Sequence, residues 1–271
     1  LPNSAAEGRG PRQAGRPKPW RGVLSGNTAA LIISVLLLAI VWELLGRYVI
    51  KSDLIFAPLS NIFAKMLDMA RSGELWRHIK ASGSAFLIGY SAAVVFGVAL
   101  GFVIALRPTL RLYVEPWLIG LYATPMIALA PIFVVILGIG IYSKIAIIFI
   151  EAFFPITVNA ALGIRSTPKD LIEASRSFGA TEGQVIRTVY LPNSLPFVIA
   201  GMRIGVARGL AGVVISEIFG SIAGIGNLIW FSAESYDMPK LFTGVFILAG
   251  TSLVMMAALG RIERVVAPWR E

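Results

Sequence analysis

Apolar and polar positions fall in long blocks along this 271-residue chain. Apolar stretches of about 20 residues, enough to cross ~30 Å of hydrocarbon, occur at 28–46, 82–106, 117–138, 143–163, 195–216 and 241–260. They predict an all-α, polytopic membrane helical bundle of six transmembrane helices, in which every backbone polar group is satisfied within its own span. Two polar stretches break the pattern. In 47–80, Ile62, Phe63, Met66, Leu67, Met69 and Ala70 recur at near-helical spacing among charges, which predicts an amphipathic helix on the outer membrane surface. The other, PKDLIEASRSFGATEGQVIRTVYLPN at 168–193, lies between the fourth and fifth spans.

This second stretch predicts two short helices around a glycine break. Pro168 suits a first helical turn, where its missing N–H costs nothing. Leu171, Ala174 and Phe178 share one face, with Ser175 alongside and Lys169, Glu173 and Arg176 around it. Gly179 permits a left-handed turn. Thr181 is placed to cap the second helix, and Glu182 favours its dipole. Leu191 and Pro192 return the chain to the membrane. A polar hairpin flanked by apolar spans offers a small surface to something outside the bilayer.

Composition agrees with a membrane-embedded chain. Hydrophobic residues make up 56% and charged residues 14%, against about 25% charged in soluble domains. Cysteine is absent and His78 is the one histidine, so no thiolate metal site is expected and little remains for histidine-based metal or acid–base chemistry. The net charge of +9 is concentrated partly at the start, where Arg9, Arg12, Arg16, Lys18 and Arg21 sit among Gly and Pro. This placement suggests a disordered cytoplasmic tail over 1–26 and membrane lipids, not nucleic acid, as its surroundings. The first apolar run has no small-residue cleavage site after a short core and reads as a retained span.

An even number of spans puts both termini on one side, and the basic tail with Arg261, Arg264 and Arg270 makes that side the cytoplasm. The 107–116 loop and the 165–193 loop are then cytoplasmic too. The organisation expected is the tail 1–26, a first span plus outer amphipathic segment over 27–80, a core over 81–262, and a cytoplasmic C-terminal tail over 263–271.

Charges inside the fifth span demand a reason, because they are costly unless paired or wetted. Arg203 and Arg208 lie there, about 7.5 Å apart along the axis at 1.5 Å per residue, and Glu217 ends the span. Two readings stand: Arg208, or Arg203, supplies positive potential to a translocating anion, or each pairs with Glu115, Glu151 or Glu217 or snorkels to a headgroup. Asn159 is either glue between helices or a substrate contact. Gly201, Gly205 and Gly209 form a smooth stripe for packing within the subunit or against a second copy. Pro125, Pro131 and Pro155 remove backbone hydrogen bonds within spans. His78 is expected at the outer interface.

The hairpin resembles the EAA loop of ABC importer permeases, whose pattern is E-A-A, three residues, G, nine residues, I, one residue, L-P. Glu173, Ala174, Ser175, Gly179, Val189, Leu191 and Pro192 stand at the matching positions, with Ser175 for the second Ala and Val189 for Ile. The resemblance extends over about 54–271. It includes FAPLSNIF from Phe56, the proline-bearing stretch 123–141, the G-x-R and acidic residue of 201–230, and the ending at 261–270. It points to the nitrate, sulfonate, taurine and bicarbonate branch, and so to a type I ABC importer permease-like fold with a cytoplasmic coupling helix.

The resemblance implies that this helix docks on an ABC ATP-binding subunit dimer, through Glu173, Ala174, Ser175, Phe178 and Gly179. It also implies a second permease subunit, identical or similar, and a periplasmic or lipid-tethered substrate-binding protein. No G-x-x-x-x-G-K-[ST] motif occurs, and the glycine cluster at 220–227 lacks the phosphate-reaching lysine. The chain is therefore expected to be non-catalytic and without a cofactor of its own, ATP and Mg being bound by the partner ATPase. Its expected setting is the bacterial inner membrane. The competing readings are a secondary transporter or channel working without an ATPase, and a membrane scaffold.

Overall fold

A computed structural model of the chain describes residues 28–52 and 54–267. The basic tail 1–26 and residues 268–271, with Arg270, lie outside the described residues. All regular structure among the described residues is helical. Helix α1 (Thr28–Leu44) runs on through a π turn (Leu45–Ile50), followed by α2 (Leu59–Arg71), α3 (Glu74–Leu106), α4 (Pro108–Ala123), α5 (Met126–Leu137) and α6 (Ile141–Arg165). The hairpin comprises α7 (Lys169–Ser177) and α8 (Glu182–Val185), which leads through a π turn (Ile186–Tyr190) into α9 (Leu191–Gly220). Helices α10 (Ile225–Glu234) and α11 (Met238–Val266) complete the chain.

Helix α6 is the centre of the bundle, with α3 packed on one side and α9 on the other. In lipid, close contact and dispersion hold helices together, because the surroundings are as apolar as the helices. Glycines on both neighbours provide that contact. A Cβ at Gly101 of α3 would sit 2.6 Å from the Thr157 carbonyl oxygen, and one at Gly201 of α9 2.7 Å from Asn159 Cβ. Gly205 and Gly209 likewise face the bundle, towards Ile156 and Phe86. The stripe on α9 thus packs within the subunit. Ala85, Ala93, Ile148, Ala152, Ile156 and Val206 fill the space that it leaves.

Among the described residues five helices are long and apolar enough to cross a membrane singly, and α4 and α5 supply a sixth only as a pair bent by 97°. The span expected at 117–138 is thus interrupted within its length. Thr124 (ψ 128°) and Pro125 (ψ 107°) are both extended; the residue before a proline is pushed out of the helical region, so the helix breaks rather than kinks. The expected loop at 107–116 is also mostly helix. Pro108 opens α4 at its first position, and Arg111 and Glu115 pair along its face.

The 47–80 segment divides at Gly73 into α2 and the first turns of α3. The apolar face of α2 packs on protein: Met69 clusters with Leu75 and Leu228, and Ile62 is wholly buried. Phe63 and Leu67 remain exposed. Helix α1 is anchored mainly by Trp42, whose ring meets Phe56, Phe242 and Phe246 and whose Nε1–H donates to the Ala57 carbonyl at 3.0 Å.

Candidate functional site

The hairpin emerges at the end of the bundle where α6 finishes and α9 begins. Asn193 ties its two ends, donating to Thr167 Oγ1 at 3.1 Å. Asp170 in the first turn of α7 and Arg176 in the last both suit the helix dipole. The helix stops because Gly179 adopts φ +80°, a left-handed conformation that costs glycine little. The Gly179 N–H donates to the Arg176 carbonyl at 2.9 Å and the Ala180 N–H to that of Ser175 at 3.1 Å. Thr181 then starts α8 with a reciprocal cap: its N–H donates to Gln184 Oε1 at 2.7 Å, and its Oγ1 accepts from the Gln184 N–H. Arg176 reaches Glu182 across the turn at 2.8 Å. Buried Val185 anchors the second arm.

None of the side chains of α7 is buried among the described residues. Leu171 is 54% exposed and Phe178 90% exposed; Glu173 and Ala174 are exposed beside them and Ser175 is half-buried. A locally braced helix thus leaves apolar residues uncovered, and exposed patches of this kind mark contact sites.

A second feature lies at the break between α4 and α5. A cavity of about 520 Å³ opens there, lined by Tyr122 and Thr124, by Pro125 and Met126, and by Glu151 of α6 and Arg208 of α9. The Arg208 side chain is 54% exposed, and its guanidinium lies 3.9 Å from Glu151 and 5.9 Å from the centre of the Tyr122 ring. That ring contact favours a cation, whereas 3.9 Å is beyond a good hydrogen bond. Arg208 is thus held near Glu151 without being locked to it.

The other polar residues of the spans are placed apart from this cavity. Arg203 pairs with Glu263 of α11 at 2.6 Å. Asn159 donates to the Pro155 carbonyl at 2.8 Å and packs against Gly201. Glu217 is fully buried at the opposite end from the hairpin. It accepts from Lys144 Nζ at 3.0 Å, from Ser82 Oγ at 2.8 Å and from the Gly226 N–H at 2.8 Å. Lys144 also donates to the Ala223 carbonyl at 2.8 Å. The network joins α3, α6 and α9 to the turn before α10. His78 sits beside it, buried in protein, with Nδ1 2.8 Å from the Gly224 carbonyl oxygen. Lys144 went unrecognised in the sequence, because a lysine at the start of a span also reads as an interfacial anchor. Tyr122 was missed as well; nothing local marks one aromatic residue in an apolar run.

A bundle of spans around α6 with an uncovered hairpin at one end is the arrangement of a polytopic membrane protein. The chain belongs to the family of binding-protein-dependent transport system inner membrane components, whose model matches residues 93–270. It is 30% identical to the taurine transport system permease protein TauC of Escherichia coli (strain K12) over 256 residues, 92% of this chain and 93% of that protein. It is 31% identical to the formylaminopyrimidine transport permease protein ThiX of Halalkalibacterium halodurans, over 87% of this chain and 94% of that one. A putative aliphatic sulfonates transport permease protein, SsuC of Bacillus subtilis (strain 168), is 29% identical over 100% of this chain and 95% of its own length. Among solved structures, an inward-facing MetNI methionine ABC transporter matches with a TM-score of 0.61 at 25% identity, over 71% of this chain and 95% of that chain.

Proposed function

We propose that this chain is the non-catalytic membrane subunit of an ATP-driven importer, moved through its hairpin by a separate ATP-hydrolysing dimer. The observation that carries this reading is α7, which is closed at its C-terminal end by the left-handed Gly179 turn, is braced by Arg176–Glu182, and leaves Leu171 and Phe178 uncovered. Glu173, Ala174, Ser175, Phe178 and Gly179 form the contact, with the hairpin and both termini in the cytoplasm. ATP and Mg belong to the partner, and this chain holds no cofactor. A second permease subunit, most simply an identical copy, completes the pathway, and a substrate-binding protein delivers cargo to the opposite face.

Two relatives bear the names of taurine and aliphatic sulfonate permeases, and Arg208 offers a partly free cation within the spans. Together these support a small organic or inorganic anion, of the sulfonate, taurine, nitrate or bicarbonate class, as cargo, with Arg208 on its path. Arg203 and Glu217, both paired, and Asn159 serve packing. The test is uptake by the complete transporter in liposomes. Glu173→Lys is expected to abolish uptake and to release or uncouple the ATPase while the spans stay folded. Undiminished, ATP-dependent uptake by that variant refutes the reading.

A further inference from the structure

The cavity at the α4–α5 break holds charge of both signs. Glu151 and Arg208 are the two charged side chains among its described lining residues, and the remainder are apolar, aromatic or neutral. The two charged groups differ in their surroundings. Arg208 is half-exposed and rests near the Tyr122 ring, whereas Glu151 is almost fully buried and has Arg208, at 3.9 Å, as its ion-pair partner. Its carboxylate oxygens therefore keep unused capacity to accept hydrogen bonds, which is unusual for a carboxylate within a span.

A simple anion entering this cavity draws Arg208 away and leaves Glu151 buried without a counter-charge, which is costly. A cargo with an ammonium as well as an anionic group replaces both halves of the pair at once. We infer that Glu151 and Arg208 form a two-point site for a zwitterion, with Arg208 holding the anionic end and Glu151 the ammonium. This inference rests on the proposal that Arg208 lies on the path, and it assigns Glu151 as the residue that separates amino-substituted anions from plain ones. The wall of Tyr122, Phe154 and Met126 suits the short apolar linker between the two ends. Thr124 at the break adds a hydroxyl beside the site; that hydroxyl donates to the Gly120 carbonyl at 3.0 Å and keeps its lone pairs.

The matched probes are taurine and ethanesulfonate, which differ by one ammonium group. Saturation-transfer difference NMR, which detects weak binding, is run on the permease–ATPase complex in nanodiscs without any binding protein, so that selection upstream is removed. The wild type is expected to bind taurine about tenfold more tightly than ethanesulfonate, the scale of one charge-assisted hydrogen bond. Glu151→Gln, which keeps the shape of the side chain, is expected to remove that preference by weakening taurine and leaving ethanesulfonate equal or stronger. Arg208→Gln is expected to weaken both probes. Equal binding of the two probes by the wild type, binding of neither, or a preference that survives Glu151→Gln overturns the zwitterion site. If Arg208→Gln leaves both probes unchanged, the anion-path reading fails, whatever Glu151 does.

Discussion

The buried Lys144–Glu217 pair yields the most quantitative prediction, because its surroundings are fully specified. Glu217 is completely excluded from solvent and Lys144 nearly so. Lys144→Met removes the cation that, among the described residues, touches the carboxylate, and also one of the donors to the Ala223 carbonyl. Ser82 and the Gly226 N–H remain, but both are neutral. Stranding a buried charge in this way costs roughly 3–5 kcal/mol. In the double variant Lys144→Met with Glu217→Gln, the charge is gone and the Gln carbonyl still accepts from Ser82 and Gly226. Its cost is expected to fall to about 1–2 kcal/mol, chiefly the lost Lys144 hydrogen bond to the Ala223 carbonyl, which Ser221 Oγ still meets at 2.5 Å. The second substitution thus restores stability that the first removes, a coupling of about 2 kcal/mol or more. Reversible unfolding in mixed micelles, followed by tryptophan fluorescence, measures all four corners of the cycle. A single Lys144→Met variant within ~0.5 kcal/mol of wild type, or additive effects, refutes the claim that this pair fastens the turn before α10.

Other perturbations probe packing and the hairpin. Gly101→Leu is expected to force α3 away from α6, since even its Cβ would meet Thr157 O at 2.6 Å and Ala160 Cβ at 2.7 Å; overpacking of this kind costs about 1–3 kcal/mol or more. Gly120→Ala, with nothing within 4 Å, is its control and should unfold at or above the wild-type temperature. Gly179→Ala meets no steric clash but must hold φ +80°, a cost of ~1–2 kcal/mol. Hydrogen exchange across 169–185 should then quicken at least about fivefold, with Gly179→Asn intermediate. Unchanged exchange would show that the left-handed turn does not stabilise the hairpin.

Much of this arrangement was legible from local pattern. The apolar runs located the spans, and the hairpin was readable down to the Gly179 turn and the Thr181 cap because its signals lie within about four residues of one another. What escaped notice depends on distant partners. Pro125 was recognisable as a disruption, but Pro131 and Pro155 stand inside intact helices, so a proline by itself does not tell a complete break from a tolerated position. Lys144 and Glu217 are 73 residues apart and His78 and Gly224 are 146 apart, so no spacing rule connects them. Helix α10 was hidden by the glycine-rich turn before it, and its ten residues are too few for a span. The direction of the α9 glycine stripe, inward or towards a second copy, required the position of α6.

The central claim is that α7 is the joint to an ATP-hydrolysing partner. The chain contains no cysteine, so Ala174→Cys introduces a single thiol on the exposed face of α7. After a short thiol-to-amine cross-linker is applied to membranes of the host, the adduct is digested and its peptides are sequenced. The account predicts a protein carrying G-x-x-x-x-G-K-[ST] joined at position 174, with a yield that changes between ATP-bound and nucleotide-free conditions. No such adduct at 174, while a control thiol at Tyr236 on the opposite end captures the ATPase instead, would contradict it.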